Sequence, residues 1–188
     1  MPPFRPALLR LAEHAHAWAA AMVVGGIALM AWSAQLAIPM QPVPITLQSY
    51  VLITLAALLG WRLGGLTVAL YVAFGLAGMP VFAKHAAGLQ VLTGATGGFL
   101  IGFVLVALLV GALQQYWARG RWLPLLMTLV LGHLVLMVVG AGWLGALRGA
   151  QVAWEKGFLP FLPGAGIKSV AALITVLVVE RLASPRRA

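Results

Sequence analysis

The sequence predicts an all-α integral membrane protein, a single domain over residues 1–188 in which six transmembrane helices form a compact bundle with structured outer loops. Three observations carry that expectation. Of the 188 residues 63% are hydrophobic and only 8% charged, whereas an ordinary soluble domain is about a quarter charged. The apolar residues are gathered into runs, and ~20 such residues make a helix that crosses a bilayer. Clusters of Pro, Gly and Arg punctuate the runs. With so much of the chain committed to crossings, these residues leave no room for a soluble catalytic or nucleotide-binding domain.

The first predicted helix covers 17–36 and stops at Ile38-Pro39-Met40-Gln41-Pro42-Val43-Pro44, where three prolines remove backbone donors and impose extended geometry. The next two cover 46–60 and 64–78. Joined into one helix they would place Arg62 deep in hydrocarbon, at a cost of several kcal/mol, so Gly60-Trp61-Arg62-Leu63-Gly64-Gly65 reads as a tight turn at the interface. A glycine-rich loop follows over 79–97, and a fourth helix over 98–115. Arg119 and Arg121 mark a turn before the fifth, 122–139. The stretch 140–166 reads as too polar and interrupted to cross. A sixth helix, 167–182, leads into Arg186-Arg187.

Twelve Lys and Arg against three Glu and no Asp give a formal charge of +9. In a soluble protein that balance suggests nucleic acid; here the partner is the lipid bilayer and the charge reads as topology. Cytoplasmic loops collect Lys and Arg. Placing both termini inside puts Arg5, Arg10, Arg62, Arg119, Arg121, Arg181, Arg186 and Arg187 on the inner face, and Lys84, Arg148, Lys156 and Lys168 on the outer. The expected location is the cell (inner) membrane. The first apolar run outlasts a signal-peptide core and is expected to be retained. The outer cations are either solvated loop charges or an anion-binding mouth.

Small residues recur at helical spacing in Ala17-Ala21-Gly25, in Gly98-Gly102 and in Gly132 with Gly140, which lets helix backbones approach closely in lipid. The first of these stripes suits either ordinary packing or docking of a partner membrane subunit. Gly64, Thr67, Tyr71, Gly75 and Gly78 share one helical face, as do Lys168, Ala171, Ala172 and Thr175. His133 has no second ligand nearby for a metal and reads as a packed neutral histidine; His14 and His16 face the headgroups. The chain has no Cys, and Glu13, Glu155 and Glu180 are far apart, so the groups that a membrane-embedded lipid or isoprenoid enzyme needs are not assembled. The sequence reads as a non-enzyme without metal or cofactor.

Ala34-Gln35-Leu36-Ala37-Ile38-Pro39-Met40-Gln41-Pro42-Val43-Pro44-Ile45-Thr46-Leu47-Gln48 resembles the signature of the BioY family, the biotin-specific S components of energy-coupling-factor (ECF) vitamin transporters. The resemblance continues through Leu59-Gly60-Trp61-Arg62-Leu63-Gly64, Gly78-Met79-Pro80-Val81-Phe82 and Leu92-Thr93-Gly94-Ala95-Thr96-Gly97-Gly98-Phe99. It ends on Pro160-Phe161-Leu162-Pro163-Gly164-Ala165-Gly166-Ile167-Lys168, and order and spacing agree over about residues 17–182. It implies capture of biotin near the outer face beneath the loops, with ATP hydrolysis left to ABC-type ATPases joined through a shared coupling membrane subunit. Some members act without those partners. Ala17, Ala21 and Gly25 match the small-residue surface that docks the coupling subunit.

Biotin has a carboxylate tail, an apolar bicycle and a ureido group with two N–H donors and one carbonyl. Lys168 is the cation that the resemblance favours. Lys84 and His85 are candidates for the carboxylate; Tyr71, Phe82, Trp143 and Trp154 for the ring. The family pattern Pro-Gly-Asp-x-x-Lys has Ala165 here in place of Asp, Ala95 stands where Pro is common, and Phe99 where Tyr is. With no Asp or Asn, the amide acceptors near the outer loops are Gln35, Gln41, Gln48 and Gln90, and Gln48 with Thr46 beside it is the preferred substitute. Glu155 is another. Thr46 also reads as a helix N-cap and Gln48 as a helix-surface residue. The change at Ala165 leaves a biotin relative or another vitamin as the alternative ligand.

Overall fold

The structure is a computed structural model describing Pro6 and residues 16–118 and 120–183; the expectations for Arg5, Arg10, Glu13, His14, Arg119, Arg186 and Arg187 lie outside the described residues. Five long helices build it: α1 (His16–Gln35), α2 (Gln48–Leu76), α3 (Gly97–Leu113), α4 (Trp122–Arg148) and α5 (Leu162–Ala183). All five lie in stretches long and apolar enough to cross a membrane. A π turn, Gln114–Ala118, prolongs α3.

The second helix is folded back on itself. Gly60 has φ 72° and ψ 177°, a conformation that costs an L side chain but not glycine. In an unbroken helix Gln48 and Tyr71 would stand about 35 Å apart, yet their side chains are hydrogen-bonded. A Cβ on Gly64 would meet Ala56 Cα at 3.0 Å, so the two arms, 48–59 and 61–76, pack against each other. The expected turn over residues 60–65 is thus confined to Gly60. Helix resumes at Trp61 because Gly64 is needed as a helical contact, not as loop. Arg62 is exposed, its guanidinium 5.1 Å from the centroid of the Trp61 ring.

The first arm is the centre of the bundle, buried without interruption from Val51 to Gly60. Around it the small-residue stripes do what close packing requires. A Cβ at Gly102 would touch Leu136 at 3.0 Å, and one at Gly132 would press on Val110 at 2.6 Å. Gly64, Thr67, Tyr71 and Gly75 all face inward.

Three expectations are corrected. The chain is not wholly α: β1 (Ala37–Ile38) pairs antiparallel with β2 (Ile45–Thr46), Ala37 opposite Thr46. The prolines between them exclude helix, and the extended geometry they impose suits a hairpin. The fifth predicted helix runs on to Arg148 instead of ending at 139, because Gly140 lies against the Phe99 ring and Leu144 is fully buried. Gly149, at φ 90°, ends it. The remainder of 140–166 folds into short helical turns through Phe161, and α5 starts at Leu162 instead of 167. Pro163 falls in its first turn, where the missing N–H breaks no helical bond.

Gly60→Ala is expected to destabilise the bundle by about 1–3 kcal/mol, the cost of holding a non-glycine residue at this positive-φ, extended-ψ geometry, and its Cβ would also stand 2.9 Å from the Gln115 amide. Gly142→Ala, with nothing within 4 Å, serves as the control. Thermal unfolding in detergent checks this, and equal melting of the two variants would contradict the fold-back.

Candidate functional site

At one end of the bundle the hairpin, the loop after α2 and the segment before α5 enclose a cavity of about 240 Å³. Pro42, Val43 and Pro44 form its roof; Phe99 and Phe103 of α3, Met137 of α4 and Phe161 form apolar walls. Phe161 stacks on Phe99 with centroids 5.6 Å apart. Phe82 is buried beside them and meets Tyr71 edge-on at 5.6 Å. Gly75 makes this possible, since any side chain there would occupy the Phe82 ring. A mostly apolar cavity with few placed polar groups is the usual form of a small-ligand site.

The polar groups are supplied by distant segments. Lys168 of α5 donates from Nζ to the Thr46 carbonyl at 2.6 Å and to Ser49 Oγ at 3.1 Å. Both partners are neutral, and an ammonium has three donors, so a positive charge and one N–H remain for the cavity. Gln48 is fixed by a relay. Tyr71 Oη donates to the Val81 carbonyl at 2.9 Å and therefore accepts from Gln48 Nε2, which leaves Gln48 Oε1 as an acceptor without a partner among the described residues.

The loop over the cavity is held in an unusual backbone. Lys84 and His85 have φ 59° and 56°, a region that non-glycine residues rarely adopt. Gln35 braces them, donating from Nε2 to the Phe82 carbonyl at 3.0 Å and accepting the His85 N–H at Oε1 at 3.2 Å. Trp143 Nε1 ties Gly94 at 3.0 Å.

Of the residues singled out by sequence, Thr46, Gln48, Phe82, Lys84 and Lys168 line this one cavity. Tyr71 stands behind Gln48, fully buried. His85 is exposed and outside the lining, held through its backbone. Thr46 is not an N-cap: that position is Leu47, without a side-chain cap. Glu155 lies outside the lining, bonded to Gln151 at 2.9 Å, and Trp154 is exposed against Phe158. Ala17, Ala21 and Gly25 form an exposed strip along α1, with open space where a Gly25 side chain would be. Sequence reasoning missed Phe103, Met137, Phe161 and the cavity face of His133. Phe99 and Phe103, four apart after a Gly pair, carried a readable signal; His133 carried none.

Fold and site together define a class: a helical bundle of membrane-spanning character with a mostly apolar cavity beneath the loops at one end. The BioY family model matches residues 9–185. The biotin transporter BioY of Thermotoga maritima is 37% identical over 164 residues, covering 82% of this chain and 91% of that protein. The probable biotin transporter BioY of Pyrococcus horikoshii is 33% identical over 156 residues, covering 83% and 90%. The crystal structure of the S-component for biotin from an ECF-type ABC transporter is similar with a TM-score of 0.74 at 27% identity, covering 87% of this chain and 89% of that one. The chain belongs to the BioY family.

Tyr71→Phe removes the hydroxyl that serves both Gln48 and Val81. Leaving buried partners unsatisfied costs about 1–3 kcal/mol, so the variant should melt measurably below the native chain in detergent. Unchanged melting would contradict the relay.

Proposed function

We propose that this chain captures biotin in the loop-capped cavity and carries it across the membrane as the substrate-binding S component of an ECF transporter, catalysing no reaction itself. The observation that carries the reading is Lys168, an ammonium drawn half-buried into an aromatic cavity with only neutral oxygens as partners. The apolar bicycle fits between the Phe99–Phe161 pair and the proline roof. The ureido carbonyl takes the third Lys168 N–H, and Gln48 Oε1 accepts one ureido N–H. The carboxylate then points to the cavity mouth, where Lys84 is exposed. This arrangement gives the ureido carbonyl, one ureido N–H and the carboxylate each a complement and leaves the apolar body against rings.

The Gly60 turn lies against the far end of α3, where the Trp61 N–H reaches Gln115 Oε1 at 3.4 Å, while every loop lining the cavity is at the opposite end. Counting each arm of α2 as one passage gives six crossings, with Arg62, Arg121 and Arg181 on the cytoplasmic side and both termini there. The arms are short, ~18 and ~24 Å by helical rise, so the bilayer thins locally or the extended hairpin completes the path. The exposed strip Ala17-Ala21-Gly25 offers a flat surface to a helix of the coupling membrane subunit, through which ABC-type ATPases would drive release.

Equilibrium binding of biotin to the detergent-purified chain tests the reading. Native protein should bind, and Lys168→Ala should lose tenfold or more, about 1.4 kcal/mol; a folded native chain that does not bind contradicts it. For the docking strip, Gly25→Trp should keep biotin binding and lose co-purification of a co-expressed coupling subunit. Undiminished co-purification would place the partner elsewhere.

A further inference from the structure

A second relay stands in the cavity wall, and its unpaired end is a buried nitrogen. His133 of α4 lines the cavity and is only 3% exposed. Its Nδ1 stands 2.8 Å from Ser169 Oγ and 3.2 Å from the Leu129 carbonyl. Ser169 Oγ is in turn 2.8 Å from the Ala165 carbonyl. A carbonyl can only accept, and a hydroxyl has one proton to give. Ser169 therefore donates to Ala165 and accepts from the ring, while Leu129 likewise requires a proton on Nδ1. In the neutral imidazole the lone pair is then on Nε2.

That atom is buried and has no hydrogen-bond partner among the described residues. A buried acceptor in this state needs an explanation, because nearly all such groups in folded proteins are paired. The surroundings on α5 supply none: Ala165, which also lines the cavity, contributes a methyl group. One turn further on from Ala165, Lys168 lines the same cavity as His133 and brings a donor to it. A donor and an acceptor in the walls of one cavity complement a ligand in which a carbonyl adjoins an N–H, as in a cyclic urea, lactam or amide.

We infer that His133 Nε2 accepts a hydrogen bond from an N–H of the bound ligand, which for biotin is the second ureido N–H. The inference rests on the biotin reading, in which Gln48 Oε1 takes the first. His133 is thereby a specificity-determining residue: it favours ligands with two N–H donors flanking one carbonyl, and it occupies the role for which α5 carries no side chain.

Two measurements test this. Biotin binding is titrated with the native chain, His133→Phe and His133→Gln, all in detergent with melting curves recorded. In parallel, the imidazole nitrogens of native protein labelled with 15N-histidine are followed by NMR as biotin is added. Expected are binding by the native chain, a loss of tenfold or more in His133→Phe, partial recovery in His133→Gln, and a biotin-dependent shift of the His133 Nε2 signal toward a hydrogen-bonded acceptor with Nδ1 remaining protonated. Biotin binding by the native chain with an unmoved Nε2 signal overturns the inference and leaves the biotin reading standing, as does binding by folded His133→Phe within threefold of native. Failure of the folded native chain to bind biotin removes both. Should His133→Phe not fold, the NMR signal of the native chain decides alone.

Discussion

A lysine half-buried in a mostly apolar cavity has to find oxygen inside the protein, since an unsatisfied ammonium there is costly. Lys168 meets that demand by reaching the Thr46 carbonyl and Ser49 hydroxyl, and in doing so it fastens the last helix to the proline hairpin and to the start of α2. The rest of the site is arranged around that junction. Ser49 and Gln48 begin the first arm of α2, Tyr71 belongs to the second, and only the reversal at Gly60 brings the two arms side by side. A glycine at the far end of the bundle thus decides whether the cavity has a polar wall.

Both orienting relays in the cavity follow one scheme. A side chain on the wall donates a hydrogen bond to a hydroxyl, and the hydroxyl donates its own to a backbone carbonyl: Gln48 to Tyr71 to Val81, and His133 to Ser169 to Ala165. One relay ends in the loop after α2 and the other in the first turn of α5, and each leaves an acceptor at its other end. Set against the Lys168 donor, two acceptors and one donor make a pattern that an apolar pocket alone could not provide. Gln35 adds the cover, holding Phe82 and His85 so that the loop above the rings keeps its backbone shape.

Much of this was legible in the residues, for reasons that differ by element. Pro39, Pro42 and Pro44 forbid helix by their own chemistry, so the break after α1 could be read; the two-residue strands could not, being too short to show a period. Arg62 betrayed the turn at Gly60 through the cost of burying it. The extension of α4 to Arg148 was hidden, because Gly140-Ala141-Gly142 looks like a breaker until Phe99, 41 positions away, is set against it. Phe82 and Lys168 stood out through the family motifs, and Gln48 as an amide acceptor in a chain without Asp or Asn. Phe161 and His133 did not, since what gives each its place, Phe99 and Ser169, is remote in sequence and adjacent only in space.

The most direct measurement is a structure of this chain solved with biotin present at saturating concentration. Ligand density is expected within the hairpin-roofed cavity, with its bicycle against Phe99 and Phe161 and a ligand oxygen within hydrogen-bonding distance of Lys168 Nζ. Density for biotin at another place on the protein, with this cavity empty, would contradict it.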